Sequence, residues 1–136
     1  MTNKLCRALM VIAALLMAVA TGLGAWASHG LPSVLDQSAL RAFETAVTYQ
    51  FVHALGLFGI GIYGAGRRSG NALGLGAIIL LGGILLFCGG IYASSLGGPE
   101  WLSSLAPAGG IGLIVGWVAV GAGVCWSGPG QAHSGG

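Results

Sequence analysis

The chain has 136 residues, of which 55% are apolar and only 6% charged, five Lys/Arg against three Asp/Glu, for a formal net charge of +2. A soluble domain carries about 25% charged residues, and a chain this short folded in water would expose large apolar patches, so the bilayer is its natural solvent. The small, scattered positive charge excludes a nucleic-acid surface. Cys6, Cys88 and Cys125 are far apart and odd in number, so they make no disulfide framework or metal pair and read as small apolar fillers.

A bilayer-crossing helix needs about 20 mainly apolar residues, and four segments qualify. The first is Leu5–Trp26. Its Ala18, Gly22 and Ala25 recur at helical spacing and share a face that points toward His29, a small-residue seam of the kind that lets membrane helices approach closely. Lys4, Arg7, the apolar stretch and "AWA" before Ser28 also fit a secretory signal with a cleavage site; removing it would leave three spans. The apolar stretch is longer than most signal cores, so the retained span is the expectation.

Next comes "LPSVLDQSALRAFETAVTYQ". Ser33 with Asp36 resembles a capping box, which predicts a short amphipathic helix that leads into span two, Ala46–Ala65. At helical spacing Leu40, Phe43, Val47, Phe51, Ala54 and Phe58 share one face. Arg41, Glu44, Thr45, Thr48 and Tyr49 lie opposite, with Gln50 and His53 along the edge. Arg41 and Glu44 are spaced to pair. His53 lies well inside the span, where an ionisable side chain is a functional candidate; a hydrogen bond to Tyr49, one turn back, or to a neighbouring carbonyl would equally satisfy it.

Breakers "GAGRRSGN" and "GGPEWLSSLAP" frame span three, Ala72–Leu96, and Pro107 opens span four, Pro107–Trp126. In span four Gly109, Gly112, Gly116, Ala119 and Gly123 form a second seam, for packing within the bundle or against another copy or subunit. The expected organisation is an all-α integral membrane protein: a four-transmembrane-helix bundle over 1–127 and a disordered cytoplasmic tail over 128–136, where His133 is solvated. Lys4, Arg7, Arg67 and Arg68 fall on one side, Asp36, Glu44 and Glu100 on the other. The positive-inside rule then puts both termini in the cytoplasm (N-in, C-in), with Trp26 and Trp101 at the outer interface and Trp126 at the inner one.

No nucleophile elbow, zinc-protease or phosphate-binding motif occurs. The glycine-rich text around Leu73–Gly83 sits inside a predicted helix and is no phosphate cradle. His29 and His53, if brought together, could bind haem or a metal, but no further ligand completes such a site, and no cofactor is expected.

Four motifs in order, "GAWASHGL" (Gly24–Leu31), "FETAVTYQFVHALGL" (Phe43–Leu57), "LFCGGIYASSL" (Leu86–Leu96) and "APAGGIGLIVGW" (Ala106–Trp117), resemble the YgdD/YwdK-like family of small bacterial inner-membrane proteins. That family is grouped as domain of unknown function 423 and is similar to eukaryotic transmembrane protein 256. Its pattern reads G-A-F-G-A-H where this chain has Gly24 to His29, with Trp26, Ala27 and Ser28 as departures. His29, Tyr49, Gln50, His53, Gly89, Tyr92, Pro107, Gly109, Gly110, Gly116 and Trp117 stand at pattern positions, while Cys88 replaces a serine found in many relatives. The resemblance implies four membrane helices, a retained first span and a plasma (bacterial inner) membrane location, and brings no activity with it.

The leading functional expectation is a non-enzymatic accessory, assembly or stabilising component, in contact with lipid and acting through helix contacts in a homo-oligomer or larger membrane complex. The alternative is small-solute or ion transport or sensing through a cavity lined by Glu44, Tyr49 and His53.

Overall fold

A computed structural model describes residues 1–66 and 71–126; Arg67, Arg68 and the tail with His133 lie outside the described residues. The regular elements are α1 (Asn3–His29), α2 (Gln37–Ala65), α3 (Asn71–Ser95) and α4 (Leu105–Cys125), with short 3-10 turns at Leu31–Ser33 and Glu100–Leu102. All 4 helices are long and apolar enough to cross a membrane, as the hydropathy predicts. Each packs on its neighbour in sequence, with α2 against α3 in the middle.

The starts of α1 and α2 are set by side chains that satisfy otherwise orphaned backbone donors. Thr2 Oγ1 accepts from the Leu5 N–H at 3.3 Å to begin α1. At α2 the cap is Asp36, whose Oδ1 accepts from the Ser38 and Ala39 N–H groups at 2.8 and 2.9 Å. The expected role of Ser33 is therefore corrected: it sits in the 3-10 turn, and its hydroxyl donates to the Gly30 carbonyl at 2.9 Å. The amphipathic lead-in is continuous with span two as one 29-residue helix. Asp36→Ala removes both capping bonds, and we expect a loss of about 1 kcal/mol. Faster amide exchange confined to the first turn of α2 is the measurable sign; unchanged exchange there would contradict the assignment.

α3 and α4 are held together by glycines placed every seventh residue on both helices: Gly76, Gly83 and Gly90 on α3, Gly109, Gly116 and Gly123 on α4. A Cβ at Gly76 would stand 2.7 Å from the Val120 backbone N, and one at Gly83 2.7 Å from Leu113 N. From the other side, a Cβ at Gly116 would lie 2.9 Å from Leu80 Cα and one at Gly123 2.7 Å from Leu73 N. Each glycine thus faces the partner's backbone in one continuous antiparallel register. The expected seam of span four is used inside the bundle, and α3 supplies a matching row that the sequence reading did not single out. A seven-residue repeat is that of a left-handed supercoiled pair. Close backbone approach matters here because lipid tails are as apolar as side chains, so packing supplies the attraction between helices.

α1 meets α2 in the same style. Cys6, Ala13, Ala20 and Ala27, again every seventh residue, are buried with Leu9. They face the stripe of α2 that runs through Phe43, Gln50, Leu57 and Gly64. The seam expected on α1 is not used inside the bundle: Ala18, Gly22 and Ala25 share a face, but all three are exposed, and nothing lies within 4 Å of where a Gly22 Cβ would be. Phe51, grouped by helical spacing with Phe43 and Val47, is exposed as well. Cys6 and Cys88 are buried fillers, whereas Cys125, at the end of α4, is exposed and fills nothing.

Candidate functional site

Two places gather the polar and aromatic side chains of the bundle. The first is a buried bridge across three helices. Gln50 is 3% exposed, the one buried polar side chain among the described residues. Its Nε2 donates to the Leu16 carbonyl of α1 at 2.8 Å, and its Oε1 accepts from the Tyr92 hydroxyl of α3 at 2.9 Å. Beside it Cys88 Sγ donates to the Ala46 carbonyl at 3.4 Å. The Tyr92 ring packs on Phe43 with centroids 4.7 Å apart, and Phe43 meets Trp26 edge-on at 6.1 Å. The amide thus ties α2 to both neighbours, and every polar atom it turns inward is satisfied. Gln50, on the edge of the polar face, is the residue that turns into the bundle: the seven-residue stripe through Phe43 and Leu57 carries it into the core.

The second place is an open groove between α2 and α4, floored by α3. His53 Nδ1 lies 2.7 Å from the Tyr49 carbonyl. A carbonyl only accepts, so Nδ1 carries the proton and the bond is the local one expected one turn back. The imidazole stacks on the Tyr49 ring at 5.5 Å and tilts toward Trp117 at 6.2 Å, while Tyr49 also meets Phe87 at 5.0 Å. These rings, with Gly110 and Leu113, enclose a hollow of about 260 Å³.

The other expected partners do not join them. Glu44 and Arg41 are exposed. Glu44 is nine residues from His53, which sets the two about 180° apart around α2 and roughly 13 Å apart along it. A single cavity lined by Glu44, Tyr49 and His53 is therefore not formed. The two histidines are separated as well. Gly24 lies against Val47 and Gly61 against Met10, an antiparallel register that puts His29 level with the region of Arg41. His53 is then roughly 17 Å away along the axis, too far for one metal or haem iron, whose nitrogen ligands sit about 2 Å from the metal. Among the described residues no three His, Cys, Asp or Glu cluster to hold a metal ion.

Residues 23–110, which hold Gln50 and Tyr92 of the bridge and the Tyr49, His53 and Phe87 wall, match the family described as "Protein of unknown function (DUF423)". The chain belongs to the DUF423 family. A UPF0382 membrane protein of Staphylococcus saprophyticus is 37% identical to this DUF423 chain over 109 residues, covering 80% of the chain and 89% of the relative. The UPF0382 membrane protein YwdK of Bacillus subtilis is 31% identical over 112 residues, 82% of the chain and 90% of the relative. A UPF0382 membrane protein of Schizosaccharomyces pombe is 34% identical over 113 residues, 80% and 94% of the two chains. The family resemblance read from the motifs is shown, including YwdK itself and a eukaryotic relative. No solved structure matches.

Proposed function

We propose that this DUF423 chain is a non-enzymatic membrane protein acting through lateral helix contacts, as an accessory or stabilising component of a homo-oligomer or larger membrane complex. The observation that carries this is the contrast between its small-residue seams. The seams of α3 and α4 are spent on each other, whereas Ala18, Gly22 and Ala25 of α1 stand open toward the bilayer, with nothing within 4 Å of a Gly22 Cβ. Such a face admits another helix at short range. The inward polar groups are spent on tying helices together, which fits a structural role. The exposed Lys4 and Arg7 at one end of α1, and the exposed Asp36 beyond the other, support an orientation with both termini cytoplasmic in the plasma (bacterial inner) membrane.

The test is a mild-detergent pull-down of the tagged protein from its own membranes, beside Gly22→Leu. Since Gly22 touches no neighbouring helix in the bundle, the variant is expected to keep its helicity. Wild type should retain a stoichiometric partner or second copy that Gly22→Leu loses. Recovery of a lone monomer in both cases would remove the reading.

A further inference from the structure

The α2/α4 groove extends beyond the aromatic hollow. A second hollow of about 250 Å³ lies against Gly56, Gly59, Tyr63, Leu73 and Val120. Trp117 stands between the two, its indole over Gly56 so closely that a Cβ there would come within 2.5 Å of the ring. Tyr49 to Tyr63 is fourteen residues, so the two hollows together follow α2 for about 20 Å. One end is walled by rings, the other by glycine and aliphatic side chains.

The chemistry at the ring end is selective. His53 Nδ1 is committed to the Tyr49 carbonyl at 2.7 Å. In the neutral ring Nε2 is then an acceptor without a hydrogen of its own, so it takes a hydroxyl or N–H donor and rejects a carbonyl. Its depth excludes phospholipid headgroups. His53 is twelve residues from the end of α2 at Ala65, about 18 Å, and so falls well within a hydrocarbon layer about 30 Å thick. A donor that reaches it must belong to a molecule soluble in the layer itself. The faces of Tyr49, His53 and Trp117 favour a flat ring, and a cavity of about 150 Å³ already holds benzene. We propose that the α2/α4 groove binds a lipid-soluble phenol of the quinol type, its ring hydroxyl donating to His53 Nε2 and its apolar tail crossing the exposed, lipid-side edge of Trp117 toward Tyr63.

The site is independent of the open face of α1, so its test stands apart from the pull-down. The protein in nanodiscs is titrated calorimetrically with a one-isoprene ubiquinol kept reduced, and with the dimethyl ether of the same quinol, which has no hydroxyl to donate. Empty nanodiscs correct for partition into lipid. The quinol is expected to bind about ten-fold more tightly than the ether, the worth of one hydrogen bond in this setting. His53→Phe keeps an aromatic ring beside Tyr49 and should lower quinol affinity to that of the ether while leaving the ether unchanged. Ile114 lines the exposed side of the groove and faces lipid. Ile114→Trp should therefore block both ligands without disturbing the helix pairs, which circular dichroism checks. Equal binding of quinol and ether, undiminished quinol binding to either variant, or no binding beyond empty nanodiscs would overturn the proposal.

Discussion

Gly116→Ala is expected to destabilise the bundle by about 1–3 kcal/mol, the usual cost of overpacking a tight core, and Gly116→Leu by more. The reason is where the new carbon would go. It would lie 2.9 Å from both Leu80 Cα and Leu80 N, which are backbone atoms that cannot swing aside. The helices would have to part, and parting them also lifts Gly109 and Gly123 from the α3 backbone, because all three sit on one row. The control is Gly121→Ala on the same helix, where nothing lies within 4 Å of the added carbon. Alanine relieves the backbone entropy of glycine in a helix, so this variant should gain roughly 0.5–1 kcal/mol. Unfolding in mixed SDS and mild-detergent micelles, followed by circular dichroism, separates the two. If both variants lose stability alike, the α3/α4 seam is not what holds the second pair together.

Gln50→Leu is the second large expected effect. The leucine would fill much of the same space but leave the Tyr92 hydroxyl without its acceptor, at a cost of about 1–3 kcal/mol for an orphaned buried group. Hydrogen bonds between membrane helices are worth about 0.6 kcal/mol on average, and up to about 1.7, so most of the loss should come from the stranded hydroxyl rather than from the bond itself. Adding Tyr92→Phe to Gln50→Leu removes the stranded group and should recover part of the stability. In a double-mutant cycle the two changes together should cost less than the sum of their separate effects, by about 0.5 kcal/mol or more. Strict additivity would mean that the 2.9 Å contact contributes nothing to the fold.

Hydropathy and breakers made the four spans legible, each helix end lies within a few residues of its expected place, and the helix expected to lead into span two does so without a break from Gln37. The glycine row of α4 was legible because its spacing is regular. The matching row of α3 was not, since a helix apolar on every side offers no polar face by which to orient it. On α1 the sequence holds two sets of small residues, Cys6/Ala13/Ala20/Ala27 and Ala18/Gly22/Ala25, and spacing alone does not say which one the partner takes. The leucines that flank the first set, Leu9 and the half-buried Leu16, are what seat it against α2. The polar face of α2 reads equally as turned toward the bundle or toward the outer surface, and spacing alone does not say which of its residues goes inward. In hydrocarbon an amide with no water outside turns inward to find partners, and Phe51 is free to face lipid. The Tyr49–His53 contact was legible one turn apart on one helix, but Phe87 and Trp117, which complete the groove, come from other helices and carry no local signal.

The two rows of glycine and alanine divide the chain into two helical hairpins, each sealed along its own length. A hairpin whose halves already fit each other enters a membrane as a unit, so that only its bend has to be carried across. In the orientation proposed here those bends are residues 30–36 and 96–104, neither of which contains a lysine or arginine. The protein's manner of packing would thus also ease its own insertion, with Gln50 and Tyr92 left to clasp the two halves once both are in place.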